Sequence, residues 1–294
     1  MTVSVCIIVS PVLASADAPI DERLHVVDPT APQIPVTDLG VTRGDGIFEV
    51  VGVSHGNPLA IDAHLRRLAN SAAMLDLPPL DIPAIRTAIA RAIELDGPHD
   101  ELSVKIVVTR GVEGTGVPIC WVLSFADKDH SAERAEGIRV VLLDRGYPHD
   151  IAARAPWLLT GAKTLSYAVN KAVLREANRR GADDVIFTSS DGYVLEGPSS
   201  SLIARFGSHI WTPATAQGIL RGTTQGSAFD FFADQGFSTA EVLLRVEQLR
   251  DADAMWLASS TRLLAPVRSL DGREIPVDHE LTELVDSALL GRHS

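Results

Sequence analysis

The stretch from Gly161 to Gly197 constrains this chain more than any other. Leu165, Ala168, Val169, Ala172, Val173 and Ala177 recur at helical spacing, so the pattern predicts a helix with Lys163 at its front. Arg179-Arg180-Gly181 closes it, with basic residues in the last turn and a glycine where the chain turns away. Asp184 to Thr188 then reads as a strand, Ser190-Asp191-Gly192 as a tight turn, and Tyr193 to Gly197 as a second strand. That hairpin delivers a carboxylate, Glu196, close to its end.

A lysine at the mouth of one element and a glutamate at the end of a nearby hairpin suit pyridoxal phosphate chemistry. The amine can form a Schiff base with the cofactor aldehyde and then move protons at the substrate carbon. The carboxylate can keep the pyridine nitrogen protonated. The same two residues also read as a surface lysine beside a solvated hairpin acid, and the pair alone does not choose between the two.

Bulk properties remove several other classes. The 294 residues allow one large or two ordinary domains, and 46% hydrophobic with 22% charged residues is a globular composition. A formal charge of −12 argues against a nucleic-acid or anionic-membrane surface, because phosphate polymers are met by basic patches. An anionic small substrate therefore needs local arginines. The two cysteines, Cys6 and Cys120, make no disulfide framework and suit a cytoplasmic location. Neither they nor the scattered histidines show metal-ligand spacing, so no metal is expected. Val3 to Val9 imitates a secretion signal, but no Lys or Arg precedes the short apolar run, and it reads as a buried first strand. No apolar stretch is long enough to cross a bilayer.

Prolines at 11, 19, 29, 32 and 35 argue against long regular elements before Gly40. Arg43 to Val53 reads as a turn entering a strand; its Gly44-Asp-Gly46 lacks the third glycine and the helix of a dinucleotide site. Asp62 is placed to cap a helix with the stripe Leu65, Leu68, Ala72 and Leu75, which leaves Arg67 off the core face. Asp81 caps a second helix, followed by strands over Leu102 to Val108 and Ile119 to Phe125. Arg110, at a strand end, reads either as a receptor for a substrate carboxylate or as a solvated turn residue. Residues 127–136 are polar and unpatterned, the expected linker and lid between an N-terminal α/β domain, 1–126, and a C-terminal domain, 137–294. Ile138 to Leu143 and Met255 to Ala258 read as strands, and Leu281 to Leu290 as a closing helix. The loop Pro213 to Gly222 opens a helix from Thr223 to Ala233, whose free N–H groups and dipole suit a phosphate.

Six pieces occur together in one order: Arg43-Gly-Asp-Gly-Ile-Phe-Glu49, His64-Leu-Arg-Arg67-Leu68, Lys163, Tyr193-Val-Leu-Glu-Gly197, Gly218-Ile-Leu-Arg221, and Ala258-Ser-Ser260 before Pro266-Val267. In these the chain resembles the class IV pyridoxal-phosphate enzymes, which include branched-chain aminotransferases, D-amino acid aminotransferases and aminodeoxychorismate lyases. Pro156-Trp-Leu-Leu159, Ala162 to Asn170 and Ile219 to Gln225 look most like the actinobacterial aminodeoxychorismate lyases. The resemblance implies an α+β, two-domain fold of type IV, with pyridoxal 5'-phosphate between the domains and Lys163 carried by the C-terminal one. It assigns the ring nitrogen to Glu196 and the phosphate to Arg67, the amides of Ile219 and Leu220, and the Ser260 hydroxyl. Phe48 falls on the substrate side in the family, although it also reads as an ordinary core phenylalanine.

The reaction implied is conversion of 4-amino-4-deoxychorismate to 4-aminobenzoate and pyruvate, a step towards folate. Arg110 and one arginine from residues 139–154 are the candidates for its carboxylates. Transamination of branched-chain or D-amino acids is the alternative, and Glu49 after Phe48 is a residue associated with the aminotransferases. Val112 to Pro118 stands where the D-amino acid aminotransferases carry Ser-Pro-Arg-x-His, which counts against that branch. Members of the family are typically homodimers.

Overall fold

The computed structural model describes residues 2–126 and 128–291. Asp127, the first residue of the expected linker, lies outside the described residues, as do residues 1 and 292–294 at the ends of the expected domains. The chain gathers into two compact units. The first holds the described residues up to Lys128 together with Ala162–Tyr167; the second holds Asp129–Gly161 and the described residues from Ala168 onward.

The first unit contains strands β1 (Thr2–Val9), β2 (Leu24–Val27), β3 (Gly46–Ser54), β4 (Asn57–Pro58), β5 (Glu101–Thr109) and β6 (Ile119–Ala126). Its helices are α1 (Leu39–Arg43), α2 (Ile61–Met74) and α3 (Ile82–Asp96). The strands form one antiparallel sheet in the order β2-β1-β6-β5-β3-β4. Cross-strand register puts Ile47, Val108 and Cys120 on one face with Val51 and Val104, and all of them are buried. That face is covered by α2, which packs on β3, and α3, which packs on β1 and β6. The apolar stripes of both helices explain the docking: Leu65, Leu68 and Ala72 of α2, and Ile85, Ala88, Ile89 and Ala92 of α3, are buried. Asp81 caps α3 as expected, accepting from Ala84 N–H at 3.0 Å. Asp62 does not cap α2. Ala60 holds that position in a left-handed conformation, and Asp62 sits inside the first turn, where its charge favours the helix dipole.

The second unit contains β7 (Ile138–Asp144), β8 (Asp184–Thr188), β9 (Ser201–Phe206), β10 (His209–Pro213), β11 (Ser238–Val242), β12 (Ala254–Ser259), β13 (Leu263–Leu270) and β14 (Arg273–Glu274). They form a mixed sheet in the order β11-β10-β9-β12-β13-β7-β8, with β14 paired to β13. Its helices are α4 (Ser131–Glu136), α5 (Ile151–Arg154), α6 (Ala168–Arg179), α7 (Thr223–Asp234), α8 (Val246–Leu249) and α9 (His279–Gly291). One core of this unit gathers Ile138, Ile186, Leu202, Leu257 and Val267, among others. The indole of Trp256 is fully buried and donates to Thr282 Oγ1 at 2.7 Å, which ties β12 to α9.

Three expectations are corrected. Lys163 does not lead a helix: Phe48 N–H donates to Lys163 O at 3.0 Å and Leu165 N–H to Gly46 O at 2.8 Å, so the lysine lies on an extended segment paired along β3. The spacing starting at Leu165 misled because it joined this segment to α6, where only Ala177 is buried and Val169 is 63% exposed. Ala162–Tyr167 groups with the first compact unit. Nor is the expected linker unstructured: Ser131–Glu136 is helical, α4 packs on β13, and Glu133 lies 3.6 Å from Arg262. Finally, Tyr193 to Gly197 is not a continuous strand, although Leu195 N–H and Phe187 N–H still exchange backbone bonds with Phe187 O and Glu196 O.

Candidate active site

In the first unit the reactive groups surround the start of β3. Strand alternation sends Phe48 to the open face of the sheet and Glu49 to the face covered by α2. Lys163 Nζ lies 4.6 Å from the centroid of the Phe48 ring, and Tyr167 meets the same ring edge-on at 5.4 Å. Ser71 of α2 accepts from Lys163 N–H at 3.1 Å, which fixes the backbone that bears the amine. The placement of Phe48 beside Lys163 was legible only through the family order.

Beneath the sheet Glu49 is 1% exposed and meets two side chains of α2, Arg67 and His64. Arg67 donates from Nε to Glu49 Oε1 at 2.6 Å and from Nη2 to Oε2 at 2.7 Å, a two-point fork. His64 Nδ1 meets Oε2 at 2.8 Å. Burial alone would raise the Glu49 carboxyl, but the hydrogen bonds from Arg67 and His64 outweigh it and bring the group to about 2. Burial pushes the His64 ring below its usual range despite Glu49, so the ring is neutral and donates through Nδ1. The resemblance assigned Arg67 to the phosphate and used His64 only for spacing, while Glu49 was noted without a role in orienting them.

Arg110 is placed differently from its candidate role. Its Nε donates to Asp45 Oδ2 at 2.7 Å, and its other nitrogens reach the carbonyls of Leu75 and Asp76 at the C-terminal end of α2. The guanidinium neutralises that helix end and ties it to the turn before β3, as expected for a cation at a helix C-terminus.

The second unit presents Glu196 and a hydroxyl-rich loop. Leu220 N–H donates to Glu196 Oε2 at 3.1 Å, so one of the two amides expected at a phosphate meets the carboxylate in this structure. Arg145 Nη1 lies 3.8 Å from Glu196 Oε1, and its guanidinium rests over Phe187 at 5.4 Å. Arg139 and Arg154, the other candidates between residues 139 and 154, are paired with Asp183 and Asp150. The residues after Ile219, whose side chain is buried, enter α7 through Gly222, and no side chain caps the first N–H groups of that helix. Ser260 Oγ is 3.5 Å from Thr223 Oγ1 at this uncapped end. Ser200 Oγ and Thr160 Oγ1 are buried hydroxyls without a partner, and Thr160 packs against Gly218 so closely that a Cβ there would strike it. The Thr223 and Ser260 hydroxyls at the N-terminal end of α7 are donors of the kind that a phosphate uses.

Among the described residues no cluster of His, Cys, Asp or Glu could hold a metal ion, and no helix is long and apolar enough to cross a membrane.

Comparison with known proteins adds a family match over residues 46–270, to the model described as amino-transferase class IV. A bifunctional aminodeoxychorismate lyase / D-amino acid transaminase from Mycobacterium tuberculosis is 41% identical over 279 residues, 90% of this chain and 96% of that protein. The solved structure of a fold IV-transaminase from Curtobacterium pusillum superposes with a TM-score of 0.95 at 49% identity, covering 98% of this chain and 97% of the other. A hypothetical aminotransferase from Mycobacterium tuberculosis, solved in its PLP-bound form, gives 0.89 at 38% identity, covering 97% and 99%.

Proposed function

We propose, since this chain belongs to the amino-transferase class IV family, that its main reaction is the conversion of 4-amino-4-deoxychorismate to 4-aminobenzoate and pyruvate. The coarser statement needs no proposal: this is an α+β, fold type IV enzyme whose cofactor is pyridoxal 5'-phosphate. The observation that carries the finer reading is the 41% identity, across 90% of the chain, to a relative named for both lyase and transaminase activity.

Pyridoxal phosphate, when bound, supplies an electron sink conjugated to the substrate nitrogen. Lys163 would hold the cofactor through its amine, and as a free amine it is the base for the proton on the amine-bearing ring carbon of the substrate. Glu196 would keep a proton on the pyridine nitrogen. Arg67, the Ile219 and Leu220 amides and Ser260 are the residues that would hold the phosphate, the Leu220 amide giving up its bond to Glu196, with Glu49 fixing the Arg67 fork. Phe48 forms a wall beside the amine. The C–H bond at the amine-bearing carbon and the C–O bond to the enolpyruvyl group both break. The ring becomes aromatic, and pyruvate leaves without consuming water.

Transamination is the second reading, favoured by the same relative's second activity. Glu49 does not decide between the two, because its grip on Arg67 serves either reaction. By family analogy the chain acts as a homodimer in the cytoplasm; light scattering at twice the chain mass tests the first part.

The deciding experiment incubates purified holoenzyme with 4-amino-4-deoxychorismate and measures both products. Equimolar pyruvate and 4-aminobenzoate support the lyase. No pyruvate, together with rapid amino transfer from D-alanine or a branched-chain amino acid to a 2-oxo acid, assigns the transaminase instead.

A further inference from the structure

We propose that Glu241 is a positioning residue for the cofactor phosphate, acting through the loop that carries the Ile219 and Leu220 amides. The inference deepens the reading above and rests on its placing of the phosphate at those amides. β11 is an edge strand of the second sheet, and register sets Glu241 beside Thr212 of β10. From that base the carboxylate reaches the loop that follows β10. Its Oε2 accepts from Thr215 N–H at 2.9 Å and from Thr215 Oγ1 at 2.8 Å, and its Oε1 lies 3.4 Å from Arg221 Nη2. One side chain thus holds the loop at 215 and again at 221, on either side of the two amides.

The role of Glu241 follows from which bonds change when a phosphate arrives. The Leu220 amide meets Glu196 in this structure and gives up that bond to receive the anion. The bonds to Thr215 and Arg221 involve neither amide and stay in place. Between them Gly218, with a φ of 76°, turns the chain and packs closely on Thr160. Amides aimed beforehand bind an anion without first ordering the loop, so the anchor lowers the entropy cost of binding. Burial works to raise the Glu241 carboxyl, but the bonds from Thr215 and the charge of Arg221 prevail and hold it below its usual range. The contacts are exposed, and surface ion pairs add little to folding, so losing them changes the loop and spares the fold.

The test compares pyridoxal 5'-phosphate with pyridoxal, which lacks the phosphate, by titrating the full chain freed of cofactor and following the absorbance of the bound form. Glu241→Ala lowers the ratio of the two affinities about tenfold, the scale of one charge-assisted hydrogen bond, and leaves pyridoxal binding unchanged. Glu241→Gln keeps an acceptor for Thr215 and restores most of the ratio. Thr215→Val, a second variant should the first fold poorly, lowers the ratio in the same direction. A wild-type ratio in the folded variants overturns the proposal, and so does an equal loss of affinity for both ligands. Ser260→Ala reports on the underlying reading. A ratio lowered by Ser260→Ala but not by Glu241→Ala keeps the phosphate where it was placed and removes only the role of Glu241. A ratio lowered by neither overturns both. A lyase and a transaminase give the same result here, so failure of the lyase reading shows separately, in the pyruvate measurement.

Discussion

Glu49 grips Arg67 at two points, Nε to Oε1 at 2.6 Å and Nη2 to Oε2 at 2.7 Å, from a position buried under the sheet. Removing the carboxylate takes both points of the fork from a mostly buried guanidinium. Glu49→Ala should therefore lower unfolding stability by about 3–5 kcal/mol in urea titrations, the usual cost of breaking a buried ion pair. It should also weaken pyridoxal phosphate binding, because the fork loses its orientation. A variant as stable as wild type would mean that Arg67 finds another partner.

The same cluster fixes a pH dependence. His64 is held below its usual range by burial, so protonation favours the unfolded chain and stability declines as pH falls below about 6.5. Burial works to raise Glu49, but its hydrogen bonds prevail and depress it from 4.5 to about 2. Its contribution is thus complete above the unfolded value and lost as pH falls through that window. Urea midpoints measured from pH 8 to pH 3 should fall in two stages, and His64→Gln should flatten the upper one. A midpoint unchanged between pH 7 and pH 5 in the wild type would contradict the neutral, buried imidazole.

Arg110→Ala separates two roles. As a clamp on Asp45 and the α2 carbonyls, it should cost about 1–3 kcal/mol of stability through lost hydrogen bonds while leaving KM near the wild-type value. A large rise in KM with unchanged stability would return Arg110 to the substrate.

Much of this was legible in the sequence, and the misses share a cause. Strands β5, β6, β7 and β12 and helices α3, α7 and α9 follow from their apolar patterns, and α3 also from its Asp81 cap. Lys163 was placed on the wrong element. Backbone pairing between Phe48 and Lys163 joins positions far apart in the chain, and no local pattern records it. Glu49 and Arg110 illustrate the same limit: a side chain's partner across 18 or 35 residues is a tertiary fact.

Glu196→Ala should leave the cofactor bound at one per chain while turnover falls by orders of magnitude, since the proposed role of the carboxylate is electronic. Its neighbours, the Leu220 amide and Arg145, cannot accept the proton of a pyridinium nitrogen. An unaltered turnover number would assign that nitrogen to another group.

The central claim is that one particular amine carries the cofactor. Borohydride reduction of the holoenzyme fixes pyridoxal phosphate to whichever lysine holds it, and peptide mass spectrometry then locates the added mass. The modification should fall on Lys163, with none in Lys163→Ala and no visible cofactor absorbance in that variant. Modification at Lys105 or any other lysine, or a wild-type protein that retains no added mass, would contradict it.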